Sequence, residues 1–274
     1  MDLSSYRIRV GAVRKGPYLC NPKRICMRYF LEFSYLGTAY HGWQSQPNAI
    51  SVQETLEGCM SLLLGKKLEV VAAGRTDTGV HAQEMYAHFD YSEELPKHFV
   101  ARLNAFLPRD ISVKQVHVVH PNAHARFDAI SRTYRYLIVQ DKNPFWIDSA
   151  HWVQTPLDFE AMNRAASYLL EFKDFKAFSR SNTDVKTYNC NIQKAVWTQE
   201  SDCWVFTITA DRFLRNMVRA VVGTLLLVGK GKLPPEAVKD IIKSRNRSQA
   251  GASVPAKGLY LNEIIYSQSV FTHG

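Results

Sequence analysis

Three things are scarce in this chain of 274 residues: paired cysteines, long apolar runs and acid. The five cysteines, Cys20, Cys26, Cys59, Cys190 and Cys203, are odd in number and scattered, with no Cys-x-x-Cys pair. No secretory signal peptide opens the sequence, so the set reads as reduced thiols of a cytosolic (cytoplasmic) protein, not as a disulfide framework. No apolar run approaches the roughly 18 residues that a membrane span needs. The longest, Met217 to Val228, is interrupted by Arg219, Gly223 and Thr224. Asp and Glu total 25 against 34 Lys and Arg, a net charge of +9. Such an excess suits a polyanionic partner, because Lys and Arg gain affinity for phosphates by releasing counterions. A basic protein with no such partner is the alternative. With 46% hydrophobic and 22% charged residues, the chain otherwise reads as a soluble globular protein of one large or two small domains.

Residues 1–26 stand apart. They carry Arg7, Arg9, Arg14, Lys15, Lys23 and Arg24 against the single acid Asp2, with Gly11, Gly16, Pro17 and Pro22 breaking any pattern. A basic, acid-poor start fits a transit peptide, an arm that touches RNA, a mobile tail, or an over-extended start with Met27 as the first residue.

From Arg28 the pattern runs strand, helix, strand, strand, helix, strand. Arg28 to Tyr35 reads as a strand. Ser51-Val52-Gln53-Glu54 reads as a capping box opening a helix to about Leu64. Strands are expected at 68–73 and 84–91, a helix at 96–106 and a strand at 111–119. The second half repeats the order. It has a strand at 131–140, a helix at 157–170, a hairpin of 192–199 and 204–210, helices at 213–228 and 235–243, and a strand at 261–266. Two β-α-β-β-α-β units in tandem predict an α+β fold: two ferredoxin-like halves joined into one mixed, mainly antiparallel sheet, helices packed on it and a central basic cleft. The expected divisions are 27–130 for the first half, 131–268 for the second and 269–274 as a tail.

Chemistry concentrates in Gly74-Arg75-Thr76-Asp77-Thr78-Gly79-Val80-His81-Ala82, a glycine-bracketed polar loop fed by the apolar run Leu68 to Ala73. A guanidinium two residues away favours the charged form of Asp77, and an ionised, oriented carboxylate can act as a nucleophile. The plain alternative is a turn in which Asp77 bonds local backbone amides. On Ser131-Arg132-Thr133-Tyr134-Arg135-Tyr136, a period of two puts Arg132, Tyr134 and Tyr136 on one face. Arginine interleaved with tyrosine can stack bases and hold phosphates; one buried aromatic among solvated arginines is the alternative. Arg212, Arg215 and Arg219, three and then four residues apart, would align on one face of the 213–228 helix. Leu214, Met217, Val218, Val221, Leu225 and Val228 form its apolar stripe. Arg212 and Arg215 fall near the expected helix N-terminus, where the macrodipole disfavours cations, which points to an outside anion such as phosphate. A solvated basic face is the alternative. His117, His120 and His124 do not share a metal-binding geometry, since Pro121 breaks any helix.

The nine-residue string resembles the signature of the TruA-type tRNA pseudouridine synthases. The likeness extends from about Phe30 to Tyr266. It takes in Gly42-Trp43-Gln44, the capping box, His124-Ala125-Arg126-Phe127, the Arg-x-Tyr-Arg-Tyr stretch, residues 213–219 and Ala256-Lys257-Gly258-Leu259-Tyr260-Leu261. Leu36 departs from the pattern, which usually has an acid there. The resemblance implies Asp77 as nucleophile, Arg219 as its ion-pair partner and Tyr134 packing against the target uridine. It also implies Arg75 filling the space of the extruded base and Leu259 lining the uracil pocket. Arg126, Arg212 and Arg215 are the RNA contacts expected beside them. It further implies tRNA as substrate, modification of the anticodon stem-loop around positions 38 to 40, and a homodimer. Isomerising uridine exchanges no electron or phosphate, so neither cofactor nor metal is expected. A non-catalytic RNA-binding protein of the same fold is the rival, and a glycoside hydrolase is disfavoured because the loop offers one carboxylate where two are generally needed.

Overall fold

The computed structural model describes residues 26–180 and 185–271. The basic segment expected at 1–26 therefore lies, but for Cys26, outside the described residues, as do the last three residues of the expected tail.

Among the described residues nine strands form one sheet with five α-helices: β1 Met27–Tyr35, α1 Val52–Leu64, β2 Val71–Ala72, β3 His81–Tyr91, α2 Phe99–Phe106, β4 Ile111–Val119, β5 Ala129–Val139, β6 His151–Trp152, α3 Phe159–Ser167, β7 Ile192–Glu200, β8 Cys203–Ala210, α4 Met217–Gly229, α5 Ala237–Ser244 and β9 Leu259–Tyr266. The sheet order is β4-β1-β3-β9-β5-β8-β7, with β2 on β3 and β6 on β5. The first half reads β4-β1-β3-β2 and the second β9-β5-β8-β7; with the two-residue β6 set aside, both follow the order of fourth, first, third and second strand. The tandem of two ferredoxin-like units is thus written in the topology as well as in the sequence pattern.

Cross-strand neighbours in a sheet point the same way. Tyr35 faces Ala82, Ala82 faces Leu261, Leu261 faces Tyr134 and Tyr134 faces Ile208. One row of side chains therefore runs across both halves on a single face. On that face Leu31, Phe33 and Tyr35 pack with Val52, Leu56 and Met60 of α1 and Phe99 and Leu103 of α2. Tyr136 and Ile138 pack with α3, α4 and α5. The helices thus cover one side of a continuous sheet, in two cores that meet at Tyr134, which touches both. The cores exchange residues: Val80 belongs to the second, while Leu261, Ile264 and Tyr266 belong to the first.

Local chemistry explains where the elements stop. Ser51 caps α1 by accepting the Glu54 N–H, and Gly65 ends it in the left-handed region at φ 67°. Glycine58, exposed in mid-helix with open space where a Cβ would be, should tolerate alanine. We expect Gly58→Ala to raise stability by about 0.5–1 kcal/mol in a denaturant melt.

The short strand β6 is not among the expected elements, α2 begins at Phe99 behind left-handed His98, and two further differences bear on the site. The strand expected at 68–73 pairs only at Val71 and Ala72. The helix expected from Phe213 begins at Met217, behind Asn216 at φ 65°, a left-handed residue that cannot continue a helix backwards. Arg212 and Arg215 therefore lie in the lead-in loop, and only Arg219 projects from α4. The stripe from Leu214 to Val228 is buried as expected, but eleven residues of α4 are buried, so the helix runs through the core instead of lying on it.

Candidate active site

The halves meet where β3 and β9 run parallel, and they pair at just two positions, His81 with Tyr260 and Ala82 with Leu261. Beyond them the strands part. Ile264 N–H donates to the Glu84 carboxylate at 2.8 Å, while β2 takes the free edge of β3. The Asp77 loop sits at the mouth of this opening, immediately before β3.

Several contacts fix its backbone. Trp43 N–H donates to the Thr76 carbonyl (3.3 Å), Gly79 N–H to Tyr40 (3.3 Å), Val80 N–H to Asp77 (3.1 Å), and the Tyr35 and Thr76 hydroxyls bond at 2.8 Å. Gly42, at φ 90°, packs so closely that a Cβ would lie 2.4 Å from the Thr76 oxygen. His81 is buried and stacks on Tyr260. Its Nδ1 accepts the Gly37 N–H, so Nε2 carries the proton and donates to the Lys257 carbonyl at 3.1 Å. Burial lowers its pKa, consistent with a neutral ring that ties the first half to the turn before β9.

The turn expected as the plain alternative is real in the backbone, yet the Asp77 side chain does not take part in it. Among the described residues no hydrogen bond reaches either carboxylate oxygen. Instead Arg219 Nη1 stands 3.6 Å from one oxygen and Arg215 Nε 3.9 Å from the other. The carboxylate is held by charge, with 28% of its side chain exposed. Arg219 is itself anchored: its Nε donates to the Val254 carbonyl at 2.7 Å, and Val254 N–H donates back to the Arg219 carbonyl. Tyr134 completes the group. Its ring meets Phe213 edge-on at 5.1 Å, and burial, countered by Arg132 and reinforced by Asp77, raises its pKa to about 12.

Arg75 is exposed and has no partner among the described residues, two positions from Asp77. Arg126 is exposed over the Phe127 ring. Arg212 is not brought to Asp77; its charge acts on the buried thiol of Cys190. Leu259 opens β9 and is buried in the second core, so it can serve a pocket only as a wall. Among the described residues no group of three or more His, Cys, Asp or Glu is placed to hold a metal ion, and no helix is long and apolar enough to cross a membrane.

Arg132 is neither the phosphate contact nor the solvated arginine that its strand pattern suggests. Its guanidinium is turned inward and donates to four carbonyls: Ala129 (3.1 Å), Asp211 (2.8 Å), Ala73 (3.1 Å) and Arg126 (2.6 Å). It fills the gap where β3 and β9 separate and joins the entries to the Asp77 loop, the Arg126 loop and the Arg212–Arg215 loop.

The segment holding Val254 is also absent from the sequence reading. Residues 251–254 lie against α4, with Gly251 N–H on the Thr224 hydroxyl at 2.8 Å and Ser253 Oγ bonded by Asn216 and Arg247. A Cβ on Gly223 would fall 1.8 Å from the Ala252 oxygen. Gly223→Ala should cost about 1–3 kcal/mol, opposite in sign to Gly58→Ala, and lower the rate by releasing Val254 from Arg219. Paired thermal melts and rate measurements check both.

A carboxylate flanked by two guanidiniums and near the Tyr134 ring thus lies in the seam of a doubled ferredoxin-like sheet, an α+β fold with the charged cluster between its halves. Known proteins identify it further. The model of a family described as tRNA pseudouridine synthase matches residues 165–267. A tRNA pseudouridine synthase A of Bacteroides fragilis is 53% identical over 247 residues, covering 89% of this chain and 98% of that protein. Those of Parabacteroides distasonis (48% over 246 residues; 89% and 98%) and Acetivibrio thermocellus (43% over 239 residues; 86% and 98%) are similar. The chain belongs to the tRNA pseudouridine synthase family, whose members are isomerases.

Proposed function

We propose that this chain isomerises uridine to pseudouridine in the anticodon stem-loop of tRNA, around positions 38 to 40, with Asp77 as nucleophile. The supporting observation is the Asp77 carboxylate, free of hydrogen bonds among the described residues, between Arg219 and Arg215 and beside Tyr134.

The bond between C1′ and N1 breaks and one between C1′ and C5 forms, while N1 gains a proton and C5 loses one. Atoms and electrons balance within the nucleoside, so the reaction calls for no redox partner. Asp77 bonds covalently to the nucleoside and is released once the base has turned. Arg219 aims the carboxylate, and Tyr134 is the floor on which the uracil turns. Tyr134, Phe213 and the Leu259 wall keep water from a detached base, since hydrolysis competes with rejoining. The uridine must leave its stack to reach the site. Arg75, exposed beside the nucleophile, takes the vacated space. Arg126, Arg212 and Arg215 meet phosphates, and a homodimer in the cytoplasm is the expected working form.

The test uses an unmodified tRNA transcript, with pseudouridine mapped by carbodiimide-dependent primer-extension stops. Stops in the anticodon arm after incubation with wild type, and none with Asp77→Asn, are expected. Tight binding of the transcript without any stop would leave the non-catalytic RNA-binding reading in its place.

A further inference from the structure

Phe127 is an apolar ring left in the open: 73% of it is exposed, on a densely hydrogen-bonded loop tied to the site through Arg132. Nearly every polar group of the loop backbone is tied down. His124 N–H donates to Asp128 (2.8 Å), Ala125 N–H to His88 (3.2 Å) and Arg126 N–H to the His124 ring (3.1 Å). Phe127 and Asp128 N–H both donate to the His124 carbonyl. Tyr266 donates to the Ala125 carbonyl (2.5 Å) and Arg132 to that of Arg126 (2.6 Å). Behind the ring the His124 imidazole packs at 4.2 Å and 35°, and the Arg126 guanidinium lies 5.7 Å from its centroid.

A single exposed apolar side chain is ordinary on a protein surface. A phenyl ring backed by an imidazole, flanked by a cation and bolted to the frame of the catalytic loop is a different object. One Arg132 nitrogen, Nη2, binds the carbonyls of both Arg126 and Ala73. Ala73 leads directly into Gly74 and Arg75, so the Phe127 loop and the nucleophile loop are joined through one nitrogen.

We propose that Phe127 is a stacking ledge for a base of the tRNA next to the extruded uridine, with Arg126 holding the phosphate beside that base. The assignment rests on the isomerase reading above. Extrusion leaves a neighbouring base without its stacking partner, and an aromatic face offers a replacement that every base can use. The ledge stabilises the opened RNA and sets where along the stem the site engages.

The test compares Phe127→Ala, Phe127→Leu and Phe127→Trp with wild type. The measurements are tRNA affinity at fixed salt, kcat/KM for pseudouridine formation and thermal melts. With melts unchanged, Ala and Leu should each lose about tenfold or more in affinity, as expected when base–aromatic stacking is lost. Trp should stay near wild type. Leucine matching tryptophan would overturn the proposal, because bulk without a π face would then suffice. An alanine variant equal to wild type would overturn it as well. Wild type that forms no pseudouridine would instead sink the isomerase reading, so the two failures are separable.

Discussion

Asp77→Asn should reduce pseudouridine formation by at least about four orders of magnitude, on the scale of losing a covalent nucleophile. The substitution keeps shape and removes charge. Three consequences separate it from a folding defect. The paired guanidiniums stand 3.6 and 3.9 Å away, and the carboxylate is partly exposed, so the ion pairs contribute little to stability and the melting temperature should barely move. Affinity for tRNA should hold or rise, since a negative charge has been removed from a cation-lined site that faces phosphates. Single-turnover release of tritium from 5-tritiated uridine should vanish with product, because C5 loses its proton only after the new bond forms. A residual rate above about one per cent of wild type would exclude Asp77 as nucleophile and leave Arg219 without its proposed purpose. Asp77→Ala, which removes the whole group, should behave alike.

The reach of the sequence can be judged from particular residues. Ser51 with Glu54 and Gly65 announce the ends of α1 because capping is a local affair, decided within four residues. Alternation in β1 and β4 is equally local, and the doubled order of elements is enough to predict the doubled sheet. Asp77 and Tyr134 stand out in the sequence because the motifs around them match a family. What sequence could not reveal are partners far apart in the chain that meet through backbone. In sequence Arg132 looks like a solvated arginine, whereas in the fold it is held by four carbonyls, one of them 79 residues away. The helix at 213 was over-extended because an apolar stripe continues across Leu214, while the left-handed turn at Asn216 leaves no mark on periodicity. The strand at 68–73 is shorter for another reason: the backbone of Leu68 and Val70 bonds the α1 side chains of Ser61, Glu57 and Gln53 instead of β3, partners that no periodicity reveals.

The pH dependence of folding follows from a group that lies off the catalytic path. His88 accepts the Ala125 N–H through Nδ1, which requires a neutral ring. Burial first, then the nearby His124 and Arg28, lower its pKa to about 4 from the ordinary 6.5. Between those values the unfolded chain binds the proton and the folded one does not, so stability is fully present above pH 6.5 and is lost as pH falls toward 4. Melts at pH 5 and pH 7.5 should differ, and His88→Asn should flatten the difference.

Arg219 and Arg215 both approach Asp77, and they should fail in different ways. Arg219 uses two ends of one guanidinium: Nε on the Val254 carbonyl and Nη1 toward the nucleophile. Lysine has one point charge on a flexible stem and cannot hold both positions. Arg219→Lys should therefore lower kcat by about a hundredfold to a thousandfold, as when an aimed electrostatic contact is withdrawn from a transition state. KM should scarcely change. Arg215 is 58% exposed, sits farther from the carboxylate and lies in the loop ahead of α4. Its removal to alanine should act chiefly on tRNA affinity, by a few-fold, and should lower the slope of log affinity against log salt by about one. Salt titration of binding, combined with saturation kinetics, separates the two. If Arg219→Lys kept its kcat within about threefold, anchoring at Val254 would have no part in aiming Asp77. If Arg215→Ala lost kcat with an unchanged salt slope, it would belong with the reacting groups and not with the phosphate contacts.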